Sequence, residues 1–172
     1  MNDFSIKIIK ADICSLSVDA IINSANPSLL AGGGICGAIH RAAGLELEKE
    51  CRTLGECKKG EAVITKAYNL PSKFVIHTVG PKYFCENGKE EELLRSCYQN
   101  VLRVAMENNF EVIAIPSIST GIYGYPKREA TKIAFSSIRN YLRETETSLK
   151  EIIFVVFSDD DEIIYNEIKN IP

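Results

Sequence analysis

Short apolar runs alternate along this chain with longer segments in which apolar residues recur every three or four positions. Runs rich in Ile, Val and Phe and bounded by Gly, Pro or Asn are typical of β-strands. The pattern predicts strands at Ser5–Ile9, Ala20–Ile22, Ala62–Thr65, Phe74–Val79, Val112–Ile115 and Ile152–Phe157. The last two are apolar throughout, as expected for strands that are covered on both faces.

Helices are predicted between these strands from apolar residues at helical spacing. Gly44 suits the end of the first helix, and Pro126 suits the start of the fourth. The run Asp159-Asp160-Asp161 suits the positive N-terminal end of the last helix. The predicted helices are Ile35–Ala43, Leu45–Leu54, Glu91–Asn108, Lys127–Glu144 and a segment near Asp161–Ile168.

This alternation predicts an α/β fold in which helices cover both faces of a largely parallel sheet. No linker, internal repeat or low-complexity segment interrupts the sequence, so we expect residues 1–172 to form a single domain. No apolar run approaches the length of a membrane span, and the N-terminus lacks the pattern of a signal peptide. We therefore expect a cytoplasmic protein without a membrane span, and we expect it to be a monomer.

The formal net charge of −3 and the pI near 5.5 argue against a broad contact with nucleic acid. An anionic ligand would instead have to be held by local backbone donors. The six cysteines, at positions 14, 36, 51, 57, 85 and 97, form no CxxC pair, and we expect them to be reduced and buried. His40 and His77 are each expected to pack or cap an element, so the sequence predicts neither a metal nor a cofactor.

A glycine-rich segment lies between the second predicted strand and the first predicted helix. Asn23-Ser24-Ala25-Asn26-Pro27 is followed by Gly32-Gly33-Gly34, which leads directly into the helix. The free N–H groups and positive dipole at such a helix start suit a phosphate. The segment matches neither the GxGxxG nor the GxxxxGK[ST] motif, and turn chemistry alone leaves a flexible turn as an equal alternative.

A second loop connects the fifth predicted strand to the next helix. It reads Pro116-Ser117-Ile118-Ser119-Thr120-Gly121-Ile122-Tyr123-Gly124-Tyr125-Pro126, and ordinary strand-to-helix connections are shorter. Open α/β sheets bind their ligands at the carboxyl ends of the strands. Two such loops on adjoining strand ends therefore predict a site that holds two phosphates from opposite sides.

Three polar side chains near these loops are further candidates for ligand contacts. Asp12 follows the first strand and can accept a hydrogen bond from an exocyclic amine such as that of adenine, or cap a turn. Asn23 and Asn26 each offer a donor and an acceptor, which suits a pair of ribose hydroxyls or an Asx turn. Taken alone, the local sequence favours the cap and the turns.

Together these segments resemble the macrodomain family, and in particular its MacroD-type branch. The matching segments are Ala11–Ile13, Asp19–Asn26, the glycine-rich loop through Gly44, Phe74–Pro81, Pro116–Pro126 and Phe157–Tyr165. They follow the family order over nearly the whole chain, and PSISTGIYGYP is highly specific. The resemblance implies a three-layer α/β/α sandwich around a mixed, mostly parallel sheet, with a cleft for ADP-ribose.

The resemblance also implies a role for each matching residue. Asp12 would bond the adenine amine, with Ile13 and Phe157 beside the ring. Asn23 and Asn26 would face the distal ribose, with Tyr123 closing over it. The backbone that would hold the diphosphate belongs to Gly32, Gly33, Gly34 and Ile35 in the first loop and to Ser119, Thr120, Gly121, Ile122 and Tyr123 in the second.

Two positions depart from the family pattern. Ala31 stands where the family has a first glycine, a mild change if its φ is negative. Cys36 stands where MacroD-type hydrolases usually carry an aspartate that helps to position or deprotonate the attacking water. A thiol is a weak hydrogen-bond acceptor and is mostly protonated at neutral pH, which favours packing over catalysis at Cys36. The catalytic candidates are therefore Asn26 and Tyr123, with Cys36 kept as a third.

Two functions are consistent with this resemblance. One is hydrolysis of ester-linked mono-ADP-ribose, from Asp or Glu of a protein or from O-acetyl-ADP-ribose, by water attack at the distal ribose. Loss of a general base typically costs ~10²–10⁴-fold in rate, although a ligand phosphate can activate the water instead. The other function is a non-catalytic reader of ADP-ribose or a related nucleotide signal. In both cases the expected partner is ADP-ribose or an ADP-ribosylated protein.

Overall fold

A computed structural model describes residues 4–171, which form a six-stranded sheet with helices on both faces. The strands are β1 (Ser5–Lys10), β2 (Ala20–Ser24), β3 (Ala62–Lys66), β4 (Phe74–Thr78), β5 (Val112–Pro116) and β6 (Glu151–Val156). The helices are α1 (Gly34–Ala43), α2 (Leu45–Leu54), α3 (Glu90–Glu107), α4 (Lys127–Glu144) and α5 (Asp159–Lys169). A short 3-10 turn at Ile13–Ser15, which the sequence pattern does not predict, follows β1.

The strand order across the sheet is β1-β6-β5-β2-β4-β3. Every neighbouring pair is parallel except β3 and β4, which are antiparallel. The predicted α/β fold with a mixed, mostly parallel sheet is therefore confirmed. Both faces carry a hydrophobic core, because successive residues of each strand face opposite sides of the sheet. Ile22 and Phe154 belong to the core beneath α3, α4 and α5, whereas Ile21 and Val75 belong to the core beneath α1 and α2.

Most predicted ends differ from the structure by one or two residues, and two of these differences have clear physical reasons. Strand β6 ends at Val156, which pairs with Lys10, the last residue of the neighbouring strand β1. Beyond this pair β1 offers no backbone with which β6 could form further hydrogen bonds. Phe157, predicted as the last strand residue, is instead 94% exposed. Helix α5 begins at Asp159, two residues before the prediction, because the Ser158 hydroxyl caps it by accepting a hydrogen bond from Asp161 N at 3.2 Å.

The prediction of reduced, buried cysteines is right for four of the six positions. All six thiols are free, and Cys36, Cys51, Cys57 and Cys97 are buried. Cys14 is half-buried and Cys85 is exposed on the loop that precedes α3, so the prediction was wrong for these two. Within residues 4–171, no helix is both long enough and apolar enough to cross a membrane.

Candidate functional site

The strand order brings the sequence-predicted site residues to one edge of the sheet. The carboxyl ends of β1, β6, β5 and β2 lie side by side there, because these four strands are parallel neighbours. Asp12 follows β1, Phe157 follows β6, and the two glycine loops follow β5 and β2. With about 4.8 Å between neighbouring strands, the four ends span about 14 Å, enough for an extended ligand.

The first glycine loop leads into the uncapped start of α1. Gly33 is the N-cap residue and offers no side-chain hydrogen bond, and within residues 4–171 the amides of positions 34–36 donate to no protein acceptor. Gly34 has φ +57°, a left-handed conformation that favours glycine. A Cβ on Gly37 would lie 2.2 Å from the Gly32 carbonyl oxygen, so the loop lies directly against the first turn of the helix. Ala31 keeps a negative φ, which makes its replacement of a family glycine mild.

The second glycine loop is a strained turn with unpaired amides. Ser119 is only 4% exposed and has φ +65°, a conformation that non-glycine residues rarely adopt. The turn is closed by hydrogen bonds from Tyr125 N to Ser119 O at 2.9 Å and from Gly124 N to Gly121 O at 3.0 Å. Among the described residues, the amides of positions 120–123 donate to no protein acceptor. This loop is therefore able to bind an anion through its backbone.

The two loops meet across a narrow cleft. A Cβ built on Gly33 would lie 3.3 Å from Ile122 Cδ1, so the tips of the loops are nearly in contact. The Ile122 side chain is 89% exposed. The two loops therefore lie on either side of one cleft, and each carries backbone amides without an acceptor among the described residues. That these amides hold a diphosphate stays a prediction.

At the β1–β6 end of the cleft, the structure shows a cap, a buried side chain and an exposed ring. Asp12 Oδ1 accepts a hydrogen bond from Cys14 N at 2.9 Å, which confirms the predicted cap. Ile13 is only 3% exposed and its side chain packs in the core. Phe157 is almost fully exposed. Contacts of these residues with adenine stay a prediction.

Asn26 is held by its own loop. Its Nδ2 donates to Leu30 O at 2.9 Å, and its Oδ1 accepts from Ser28 Oγ at 2.6 Å. Leu29 N also donates to Asn26 O at 3.0 Å, which closes a main-chain β-turn. The predicted Asx turn is not formed here, because Asn26 Oδ1 accepts from the Ser28 hydroxyl and not from a backbone N–H. The side chain is half-buried, and Nδ2 lies 3.2 Å from where a Cβ on Gly32 would be. Asn26 therefore sits at the wall of the cleft in a fixed orientation.

Cys36 lies in the first turn of α1 and is 5% exposed. Its thiol donates to Leu30 O at 3.5 Å, the same carbonyl that accepts from Asn26. Asn23 Nδ2 donates to the sulfur at 3.7 Å. A thiol that donates its proton to a carbonyl and packs against neighbours is a structural group, which favours the packing role for Cys36.

Beneath the cleft, Asn23 belongs to a buried polar chain. Its Nδ2 donates to His77 Nδ1 at 3.0 Å, and His77 Nε2 lies 2.9 Å from Thr65 Oγ1, so the neutral ring carries its proton on Nε2. Burial lowers the pKa of His77 to about 3, which keeps the ring uncharged. Asn23 is completely buried, and its Oδ1 has no partner within the described part of the chain. Its predicted contact with ribose is thus untested, and its side chain lies below the surface of the site.

The two histidines have the packing role that the sequence predicts. His40 is 6% exposed on the inner face of α1, and burial lowers its pKa. His77 is completely buried in β4, directly opposite Asn23 in the register of β2 and β4. In residues 4–171, no group of three or more His, Cys, Asp or Glu side chains is placed to hold a metal ion.

Sequence reasoning missed the segment that follows β4. The sequence analysis assigns no role to Gly80, yet a Cβ on it would lie 2.0 Å from Ser119 Oγ, so the absence of a side chain here lets the second loop approach. Further on, Tyr83 N donates to Tyr123 O at 2.8 Å, and Lys82 Nζ lies 5.4 Å from the centroid of the Tyr123 ring. The signal available in the sequence was Gly80 itself, a glycine that closely follows the strongly apolar strand β4.

Comparison with known proteins gives a consistent result. Residues 22–134 match the family profile described as Macro domain. A macro domain-containing protein of Chlorobaculum tepidum is 56% identical, with 94% of each chain covered. The ADP-ribose glycohydrolase MACROD2 of Xenopus laevis is 48% identical over 91% of this chain, which spans only 38% of that longer protein.

Solved structures show the same fold. The Oceanobacillus iheyensis macrodomain with ADP has a TM-score of 0.93 and is 42% identical, covering 98% of this chain and 91% of that one. The Trypanosoma brucei macrodomain in complex with ADP-ribose has a TM-score of 0.88 and is 40% identical, covering 94% of this chain and 68% of that one. The sheet order, the two glycine loops and these similarities agree: the chain belongs to the Macro domain family.

Proposed function

We propose that this protein binds ADP-ribose along the cleft at the carboxyl edge of the sheet. The observation that carries the proposal is the close approach of the two glycine loops at Gly33 and Ile122, each loop having backbone amides without an acceptor among the described residues. They suit a diphosphate, and the adenosine would extend toward Asp12 and Phe157. The distal ribose would then lie near Asn26, Cys36 and Tyr123. A similar solved macrodomain is in complex with ADP-ribose, which supports this choice of ligand.

We further propose that the protein hydrolyses ester-linked mono-ADP-ribose, from Asp or Glu of a protein or from O-acetyl-ADP-ribose. Asn26 orients the distal ribose, because its amide is fixed by Leu30 O and Ser28 Oγ. The relative named ADP-ribose glycohydrolase supports a hydrolase. The protein would work as a cytoplasmic monomer whose partner is an ADP-ribosylated protein.

In this proposal Cys36 is not the base that activates water. The Cys36 thiol donates its proton to Leu30 O, and its sulfur accepts from Asn23 Nδ2. Position 36 therefore has no carboxylate that could accept a proton from the attacking water. A diphosphate oxygen of the bound ligand takes that role by accepting a proton from the water. For an Asp or Glu ester at the anomeric carbon of the distal ribose, the C–O bond to the carboxylate breaks as water adds, and the diphosphate charge also stabilises the oxocarbenium-like centre. Turnover is therefore expected to be slow.

A non-catalytic reader of ADP-ribose is the second candidate function. The observation that favours it is Cys36, where the resemblance to MacroD-type hydrolases leads us to expect an aspartate. A reader needs the amide-lined cleft and the fixed Asn26 but no group that activates water.

Calorimetry with ADP-ribose and release of ADP-ribose from a glutamate-modified protein test both functions together. Wild type, Cys36→Asp and the matched control Cys36→Ala would be compared at equimolar enzyme and substrate. We expect binding by all three variants, slow release by wild type and Cys36→Ala, and release by Cys36→Asp faster by about 10²-fold or more. Binding without release by wild type, with release by Cys36→Asp, would identify a reader. Failure of wild type to bind ADP-ribose would refute the proposed function altogether.

A further inference from the structure

Arg41 is an unpaired cation beside the first glycine loop. It lies in the last turn of α1 and is exposed, and it forms no ion pair or hydrogen bond within residues 4–171. Its side chain folds back along the helix onto Gly37, because a Cβ at position 37 would lie 3.0 Å from Arg41 Nη1 and 2.2 Å from Gly32 O. The guanidinium is therefore close to the backbone of the first loop.

The other neighbour of Arg41 is the 3-10 turn that follows β1. Burial and the charge of Asp12 raise the pKa of the Cys14 thiol to about 11, and the charge of Arg41 acts in the opposite direction, so the guanidinium lies near Cys14. Cys14 N itself donates to Asp12 Oδ1 at 2.9 Å. Arg41 thus lies between the residues that are proposed to face adenine and the loop that is proposed to hold the diphosphate. This is the adenosine half of the cleft.

Acidic side chains of the neighbouring elements leave the charge of Arg41 free. Asp12 accepts from Cys14 N, and no ion pair joins it to Arg41 within the described residues. The glutamates of α2 are bound elsewhere: Glu46 pairs with Lys49 at 2.6 Å, Glu48 pairs with Arg52 at 2.5 Å, and Glu50 accepts from Lys66 N at 3.1 Å. The guanidinium is therefore available to a ligand.

The two glycine loops supply no side-chain cation of their own. Residues 23–34 and 116–126 contain neither Lys nor Arg. Of the lysines near the cleft, Lys10 pairs with Asp159, and Lys82 lies over the Tyr123 ring. Backbone amides offer an anion only partial charges, whereas a planar guanidinium binds a phosphate with a full charge and two parallel hydrogen bonds. Arg41 has the chemistry that the loops lack.

We propose that the guanidinium of Arg41 binds a phosphate on the adenosine half of the ligand. Two phosphates have this chemistry. One is joined to C5′ of the adenosine and is present in ADP-ribose itself, and the other is a phosphate ester on the adenosine ribose, as in 2′-phosphorylated ADP-ribose. The inference rests on the proposed function, because it assigns a selective side chain to that same cleft.

The test compares two neutral or conservative variants of Arg41 with a matched control. Arg41→Gln removes the charge, and Arg41→Lys keeps the charge without the planar fork. The control is Arg143→Gln, because Arg143 is also exposed, unpaired among the described residues and in the last turn of its helix. Helix α4 begins after the second loop, so Arg143 lies about 24 Å further along it. Calorimetry gives Kd for ADP-ribose and for its 2′-phosphorylated form at about 0.01 M and about 1 M salt.

We expect Arg41→Gln to weaken binding about three- to tenfold at low salt, as loss of an exposed charge-assisted contact does. Arg41→Lys should weaken it by about twofold at most, and Arg143→Gln should bind as wild type does. At high salt the loss in Arg41→Gln should fall below about twofold, because exposed charges are then screened. A loss for both ligands would identify the phosphate at C5′, and a loss for the 2′-phosphorylated form alone would identify the phosphate on the ribose.

Three outcomes would overturn the role of Arg41. Arg41→Gln could bind both ligands as tightly as wild type does. Arg41→Lys could lose as much affinity as Arg41→Gln by an amount that salt does not change, which would mean that Arg41 only supports the shape of α1. Arg143→Gln could lose the same affinity, which would make the effect one of net charge. Wild type that binds neither ligand would instead refute the proposed function, and that result is distinct from these three.

Discussion

Replacing Gly80 with alanine should disable the second glycine loop without touching it directly. A Cβ at this position would lie 2.0 Å from Ser119 Oγ, 2.8 Å from Ile118 Cγ2 and 3.3 Å from Ser119 Cβ. The Ser119 hydroxyl has no hydrogen-bond partner within residues 4–171, so its rotation can relieve the shortest contact. The contacts with Ile118 Cγ2 and Ser119 Cβ remain after that rotation, and they are relieved only if the turn that carries the unpaired amides moves.

The expected magnitude follows from this geometry. Overpacking of a well-filled region costs about 1–3 kcal/mol, and here the three closest atoms all belong to the loop that would have to shift. If the shift removes about 1.4 kcal/mol from ligand binding, affinity for ADP-ribose falls about tenfold. We therefore expect Gly80→Ala to lose both stability and affinity by amounts of this order.

A second substitution, at Ser119, should relieve the clash that Gly80→Ala introduces. Ser119→Gly removes both Ser119 atoms that meet the new Cβ, and glycine adopts φ +65° without strain. The double variant Gly80→Ala/Ser119→Gly should thus recover most of the stability and affinity, while Ser119→Gly alone should be close to wild type. Urea denaturation gives the free energy of unfolding, and calorimetry gives the affinity for ADP-ribose.

The reasoning fails if Gly80→Ala binds ADP-ribose as wild type does and unfolds at the same urea concentration. It also fails if the double variant is no better than Gly80→Ala, because the damage would then not pass through Ser119.

Three further predictions concern stability and thiol chemistry. Burial lowers the pKa of His77 in the folded protein to about 3, so the stability that the neutral ring contributes is present above the unfolded pKa near 6.5 and is lost as the pH falls from 6.5 toward 3. Between pH 7 and 4.5, the free energy of unfolding measured with urea should fall by about 2–3 kcal/mol more for wild type than for His77→Gln. Burial opposes ionisation of Asp19, but hydrogen bonds from Lys73 and from the amides of Val112 and Glu111 lower its pKa overall. Asp19→Ala should therefore be less stable at pH 7 by about 1–3 kcal/mol, and the difference should shrink as the pH falls through the lowered pKa, whereas an equal difference at pH 2.5 would contradict this. A chromogenic disulfide reagent at pH 8 should react quickly with one exposed thiol, and Cys85→Ser should abolish that phase, because burial protects Cys36, Cys51, Cys57 and Cys97.

Much of the fold follows from the sequence because its signals are local. The apolar runs predict all six strands and the helical spacing predicts all five helices, with bounds that differ by one or two residues at most ends. Each signal depends only on the period of side chains along one element. The two glycine loops are predictable for the same reason, since Gly, Asn and hydroxyl residues after buried strands indicate backbone donors at a strand end.

The fate of individual site side chains depends on tertiary contacts instead. Asn23 was expected in the cleft, but its register position opposite His77 places it beneath the surface. The sequence favours packing over catalysis at Cys36, and the contact of its thiol with Leu30 O, which supports that role, is visible only in the tertiary structure. Whether a polar side chain is exposed is decided by the strands and loops around it, which no local pattern encodes.

The second glycine loop shows most clearly which features the local sequence predicts and which depend on tertiary contacts. The sequence alone identifies residues 116–126 as a ligand loop through their composition and length. Only the tertiary structure shows that Gly80 must lack a side chain for Ser119 to adopt its strained backbone conformation. It also shows that Tyr83, the neighbour of Phe84 in the chain, donates its backbone N–H to Tyr123 O. These contacts join positions about 40 residues apart, and they arise because the parallel sheet sets the ends of β4, β2 and β5 at one edge.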